Sequence, residues 1–335
     1  MDTIKTMRAL VLQEAGGPFH DTRIPMPMPG RGEVLVRIHA SGVNPLDSKI
    51  RAGAAAHARQ PLPAVLGMDL AGVVETIGAE VKGFRVGDEV YGLTGGVGGL
   101  QGTLAEFAAV DADLLAHKPA NLSMREAAAL PLVVITAWEG LVDRAHTHSG
   151  QKVLVHGGAG GVGHVAVQIA KALGAEVFAT GRPEQAEVIR GLGAQPIDFT
   201  STSVEQYVAA YTAGEGFDVV YDTVGGATLD AAFAAARTYG GHVVSCLGWG
   251  THKLAPLSFR AATYSGVFTL LPMLTGKGRA NHGNILREAA KMIEAGHLLP
   301  LMDPRRFDLG SALQAHQAVE AGHTKGRIVV DVQSH

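Results

Sequence analysis

Residues 155–175, VHGGAGGVGHVAVQIAKALGA, place five glycines within positions 157–163 and follow them at once with a helical pattern. Glycine weakens strands and helices alike, so this turn has a use for bare backbone. The preceding KVLVH reads as a buried strand. After the glycines, Val162, Val165, Ala166, Ile169, Ala170 and Leu173 recur on one helical face. Strand, glycine turn and helix in that order form a dinucleotide-binding pattern. The glycines allow a tight turn, let a pyrophosphate approach the backbone and bring helix close to strand, while the helix start offers unpaired N–H groups. Gly157, Gly160 and Gly163 hold the three places, with Gly161 and Val162 between them, in a G-x-x-G-x-x-G spacing. The competing reading is a turn that only packs helix on strand.

The next strand, AEVFAT, ends at Thr180, Gly181 and Arg182, at the expected distance of roughly 20 residues. An NAD site calls for Asp or Glu there, whereas a 2′-phosphate is repelled by a carboxylate and welcomed by arginine. The expected cofactor is therefore NADPH, held by Thr180, Gly181 and Arg182; the alternative for Arg182 is a solvated surface charge. Val224–Gly225 and Leu247–Gly248 end two further apolar runs, at the carboxyl edge where open parallel sheets bind ligands, and are expected to wall the nicotinamide.

Around this motif the chain of 335 residues is 47% hydrophobic with a formal net charge of -3, which suits filled cores and gives no basic field for nucleic acid. A single cysteine, Cys246, excludes an internal disulfide and reads as a buried, inert thiol. MDTIKTMRALVLQ lacks a signal-peptide core, and no apolar run reaches the roughly 18–20 residues of a membrane span, so no membrane partner and a cytoplasmic location are expected. RALVLQ, EVLVRIHA, DLAGVVETIG, DEVYGL and LAEFAAVD predict a mostly β amino-terminal part, in which the glycine-rich 92–102 reads as a mobile loop. KVLVH, AEVFAT, FDVVYDTV, HVVSCLG and GVFTLL alternate with helical stretches, the mark of parallel βαβ units. The expected domains are 1–125 with 273–335, and 126–272.

Several collinear motifs carry a resemblance: ASGVNPLDSKIRAG (40–53), PAVLGMDLAGVVETIGAEVKGFRVGDEVYG (63–92), LPLVVITAWEGL (130–141), the glycine turn and DTVGG (222–226). Together they resemble the medium-chain dehydrogenase/reductases and, within them, the zinc-independent quinone oxidoreductases of the zeta-crystallin type. The resemblance implies an α/β chain: a GroES-like, mostly β catalytic domain, a Rossmann doubly wound parallel-sheet domain, and an active-site cleft where they meet. It implies Asn44 as an active-site amide and Thr136 as a neighbour of the nicotinamide, and it places Arg327 against the cofactor pyrophosphate. The alternatives are a turn residue before Pro45, a β-branched core residue and a solvated charge. Asp47, in N-P-L-D, is ambiguous, since the same residues make a good helix start in which it caps without any chemistry, and it stays outside the catalytic set.

Zinc-using relatives place a cysteine near 44, a His-Glu pair near 68–69 and a cysteine near 132, where this chain has Asn44, Met68-Asp69 and Leu132. No metal is expected, and His146 and His148 read as loop residues. The chain also departs from many quinone oxidoreductases in lacking tyrosines after the N-P-L-D element, with Lys49 and AGAAAHARQ in their place. The expected activity is NADPH-dependent hydride transfer to a quinone, an electron-poor acceptor that needs little activation. The alternatives are reduction of the C=C bond of an α,β-unsaturated carbonyl and a non-catalytic NADPH-binding role. A homodimer is expected from the resemblance, with HVVSCLG or GVFTLL as its edge.

Overall fold

The computed structural model describes residues 5–322 and 324–333; the start of the amino-terminal stretch, residues 1–4, lies outside them. The chain forms two compact units: Met1–Leu132, Leu270–Gly296 and Pro300–His335 in one, and Val133–Thr269 with His297–Leu299 in the other. No helix among the described residues is long and apolar enough to cross a membrane.

The first unit is built on the long strand Glu33–Val43, whose buried positions face a core of Val34, Val36, Ile38, Leu70, Val74 and Val90. It pairs antiparallel with Asp69–Ile77, Phe107–Asp111 and the carboxy-terminal strand Ile328–Asp331. In the last pairing Ile328 lies opposite Val43, and Asp69 lies opposite Gly42. Three distant stretches of chain thus end side by side, which carries Arg327 and Asp69 to Asn44. A three-stranded sheet of Phe19–Pro25, Thr6–Leu12 and Ala64–Val65 completes the β structure with Ala9 bridged to Ala105.

Segment 92–102 differs from the mobile loop expected. Residues 92–97 and Gly102 are buried, because the glycines here serve close backbone packing. A methyl at Gly95 would overlap the Gln101 carbonyl oxygen, one at Gly96 would lie 2.6 Å from that of Gly67, and one at Gly102 would overlap Leu66. Gly95→Ala is accordingly expected to destabilise the unit by about 1–3 kcal/mol through overpacking, read as a lower thermal unfolding midpoint; an unchanged midpoint counts against this packing role.

The second unit is a six-stranded sheet, all parallel, in the spatial order Gln195–Asp198, Glu176–Gly181, Lys152–His156, Val219–Asp222, His242–Ser245, Thr263–Gly266. Numbered from the first strand of the unit, this is 3-2-1-4-5-6, the doubly wound Rossmann order, and it reverses between Lys152–His156 and Val219–Asp222. Leu154, Phe178, Phe217, Val220, Phe233 and Val243 fill a core between sheet and helices. Two expectations are corrected. The sixth strand is Thr263–Gly266 rather than GVFTLL: its pairing closes with the Val267 N–H on the Ser245 carbonyl at 2.9 Å, and Thr269 and Leu270 bury beyond that point. HVVSCLG is not an edge, since His242–Ser245 is paired on both sides.

Candidate functional site

In the second unit the glycine turn sits where the strand order reverses. Gly157 has φ +73°, and its N–H donates to Thr180 Oγ1 at 3.1 Å. Gly158 donates to the Thr180 carbonyl at 2.9 Å, and Gly160 to the Gly157 carbonyl at 2.9 Å. A methyl at Gly163 would overlap the Gly157 carbonyl, and one at Gly158 would press on Ala179 at 2.5 Å. The chain therefore turns tightly enough to begin the ten-residue helix Gly163–Ala172 against the strand it has just left. Gly160 and Gly161 remain exposed at that start and Val162 partly so, and the first N–H groups of a helix have no partner within it. This bare, donor-rich edge fits a dinucleotide pyrophosphate.

Along the same edge, buried Thr180 and Gly181 lead into exposed Arg182, whose N–H donates to Gln185 Oε1 at 2.9 Å. The half-exposed Val224 packs over Gly157, where a side chain would come within 3.1 Å of it, and Thr223 Oγ1 donates to the His156 carbonyl at 2.7 Å. Gly225, φ +80°, lets its loop approach Leu247, whose carbonyl would lie 2.6 Å from an added methyl, and a methyl at Gly248 would overlap the Tyr264 hydroxyl. The structure thus groups Gly157, Gly160, Gly161, Val162, Gly163, Thr180, Gly181 and Arg182 on one edge, and seats Val224 and Gly225 against Leu247.

Thr136 is buried on the helix Pro131–Trp138, its hydroxyl 2.9 Å from that of Thr269. Its carbonyl accepts the Tyr221 hydroxyl at 2.6 Å, next to a π-helical turn, Glu139–Arg144, in which Gly140 faces the Tyr221 ring. Cys246 donates to the Asp222 carbonyl at 3.8 Å, and desolvation pushes its thiol up to about 12, so it stays protonated at neutral pH. His146 and His148 are exposed loop residues.

In the first unit, Asn44, Asp47, Asp69 and Arg327 form a cluster in which each residue is at most 5% exposed. Asn44 precedes the helix Pro45–Arg51, and Asp47 Oδ2 accepts its N–H at 2.8 Å, the capping expected from N-P-L-D. The Asn44 amide donates to Asp69 Oδ2 at 2.9 Å and accepts from Arg327 Nη2 at 2.6 Å. Asp69 Oδ1 takes the Leu132 N–H at 2.9 Å, and Arg327 Nε donates to the Ala129 carbonyl at 2.8 Å. The Arg327–Asp69 ion pair is 3.6 Å apart. Arg327 is therefore neither a solvated charge nor an outward-reaching one: much of its donor capacity is turned inward. Burial raises both the Asp47 and the Asp69 carboxyl to about 7; it leaves Asp47 Oδ1 without a partner among the described residues, whereas Arg327, the Asn44 amide and the Leu132 N–H oppose the rise at Asp69. The places where zinc would be ligated hold this network and the buried thioether of Met68, a donor set that does not fit zinc.

His156, Asp222 and Ser245, not singled out by the sequence, are the polar last residues of three apolar strands that lie side by side in the sheet. That polar ending was the available signal.

Two family matches cover the chain in part: the alcohol dehydrogenase GroES-like domain over residues 30–120 and the zinc-binding dehydrogenase family over residues 192–330. An NADPH-dependent alkenal/one oxidoreductase, chloroplastic, of Arabidopsis thaliana is 35% identical over 97% of this chain and 80% of its own length. The chain belongs to the medium-chain dehydrogenase/reductase superfamily. It is an oxidoreductase, against the non-catalytic alternative. The quinone oxidoreductase of Pongo abelii is 30% identical over 95% of both chains. Among solved structures, an alcohol dehydrogenase superfamily protein from Novosphingobium aromaticivorans is 60% identical, with a TM-score of 0.96 over 98% of this chain and 100% of that one. The first unit of this superfamily member is thus GroES-like and the second a Rossmann domain.

Proposed function

We propose that this superfamily member is an NADPH-dependent reductase that delivers hydride to a quinone and works without zinc. The observation that carries the reading is the glycine turn at the reversal point of the parallel sheet, with Thr180, Gly181 and Arg182 closing the adjacent strand. NADPH, when bound, supplies the hydride. The chain's own part is to bind and orient: the exposed helix start takes the pyrophosphate, Arg182 takes the 2′-phosphate, and Val224, Gly225, Leu247, Gly248 and Thr136 shape the nicotinamide end. Asn44, its amide fixed in one orientation by Asp69 and Arg327, offers its remaining N–H to a ribose hydroxyl or an acceptor carbonyl oxygen.

A second reading, reduction of the C=C bond of an α,β-unsaturated carbonyl, is favoured by the name of the Arabidopsis relative. Steady-state NADPH oxidation with a quinone panel and a 2-alkenal panel separates the two. Faster turnover of quinones supports the first reading and faster turnover of alkenals the second, while turnover of neither overturns both. Metal content measured on the same preparation tests independence from zinc. The proposed homodimer would pair through the outer strand Thr263–Gly266, which light scattering in solution can test.

Arg182→Ala is expected to weaken NADPH binding by about 1.5–3 kcal/mol, the scale of a hydrogen bond to a charged group, and to leave NADH binding unchanged. Titration of both cofactors checks this, and an equal loss for the two refutes the clamp.

A further inference from the structure

We propose that Asp222 and Ser245 form a buried clasp that positions loops 222–226 and 245–248 beneath the nicotinamide end of the cofactor. They act as positioning residues, and the inference rests on the cofactor reading above. Asp222 is the last residue of the strand Val219–Asp222 and is fully buried. Among the described residues no cationic side chain pairs with it; its carboxylate is met by neutral donors. Val224 N–H approaches Oδ1 at 3.1 Å, Gly225 N–H lies at 3.0 and 3.1 Å from the two oxygens, and the Ser245 hydroxyl donates to Oδ2 at 2.7 Å. A buried carboxylate is tolerated only with such satisfaction.

The serine hydroxyl works in both directions. Its one proton goes to Asp222, so its lone pairs face the Leu247 N–H, which donates to it at 3.0 Å. Direction is thereby imposed along the chain from Leu247 through Ser245 to Asp222. The Cys246 N–H adds a bond to the Asp222 carbonyl at 3.3 Å. Thr223 Oγ1 ties the first loop to the His156 carbonyl, at the end of the strand that opens the glycine turn. The carboxylate therefore fixes where Val224, Gly225 and Leu247 sit, and it does so at the nicotinamide end of the edge, away from Arg182.

Calorimetric titration of the full chain with NADPH, NADH and adenosine 2′,5′-bisphosphate tests the clasp, the last compound being a probe that lacks the nicotinamide. Ser245→Ala is expected to weaken NADPH and NADH by the same factor, about tenfold for the loss of a charge-assisted bond, and to leave the bisphosphate unchanged. An equal loss for the bisphosphate, or no loss for NADPH, overturns the clasp while leaving the cofactor reading intact. Failure of the native protein to bind NADPH and the bisphosphate overturns both. Should Ser245→Ala not fold, Ser245→Cys, which keeps the side-chain volume and loses most of the bond, carries the same expectation.

Discussion

Replacing Asp69 by leucine is expected to destabilise the GroES-like unit by about 3–5 kcal/mol, the range found when one partner of a buried ion pair is removed. The residue lies 3.6 Å from Arg327, and the pair is 0% and 5% exposed, so solvent screens little of the interaction. Without Asp69, the Arg327 charge keeps Asn44 Oδ1 and the Ala129 carbonyl but loses its carboxylate, while the Leu132 N–H and Asn44 Nδ2 lose their acceptor. Arg327→Met is expected to cost a similar amount from the other side. The double variant Asp69→Leu/Arg327→Met should recover much of the loss, because no uncompensated charge remains. Both tryptophans, Trp138 and Trp249, belong to the Rossmann unit, so fluorescence reads the wrong part of the chain. Amide hydrogen exchange along Glu33–Val43 reads the right one. Additive losses in the double variant would show that the two side chains are not coupled.

This network also marks where the sequence stops being legible. The glycine turn, its flanking strand and helix, and the Thr-Gly-Arg ending are local, so spacing and residue type alone reveal them. The central parallel strands are equally plain, since burial on both faces makes them apolar runs. Phe19–Pro25 escapes notice because its residues are exposed or half-buried and carry no alternation, and Gln195–Asp198 because it is short and contains a proline. The outer strand is displaced toward GVFTLL because apolar content marks burial, and burial here belongs to residues just past the ladder. Segment 92–102 misleads for a different reason: glycine signals either freedom or close approach, and only the packed backbone tells them apart. Arg327 meets Asn44 across 283 positions of sequence. Nothing local encodes that meeting; the antiparallel register of Ile328 opposite Val43 does.

The same cluster predicts an unusual pH dependence. Asp47 is raised from 3.8 to about 7, chiefly by burial, with no partner at Oδ1 among the described residues. The folded chain therefore keeps a proton that the unfolded chain releases, so this group's contribution is fully present below about pH 4 and is lost as pH rises toward 7. At about 1.4 kcal/mol per pH unit the loss totals about 4 kcal/mol. In the native protein Asp69, likewise raised to about 7 by burial, adds a loss of the same sign, and two histidines oppose both. His156 and His316 are lowered from 6.5 to about 4 by burial, so the unfolded chain binds the extra protons there and stability rises with pH between about 4 and 6.5. Asp303, held down at about 2 chiefly by the Arg305 side chain, acts only below this window. The difference between the native protein and Asp47→Asn, which is uncharged at every pH, removes the contributions that both proteins share, those of Asp69 and the histidines. Hydrogen exchange along Glu33–Val43 is expected to show that difference shifting by about 4 kcal/mol in favour of the variant between pH 4 and pH 7.5. A difference independent of pH would mean that Asp47 is ionised in the fold throughout, with Arg327 shared between two carboxylates.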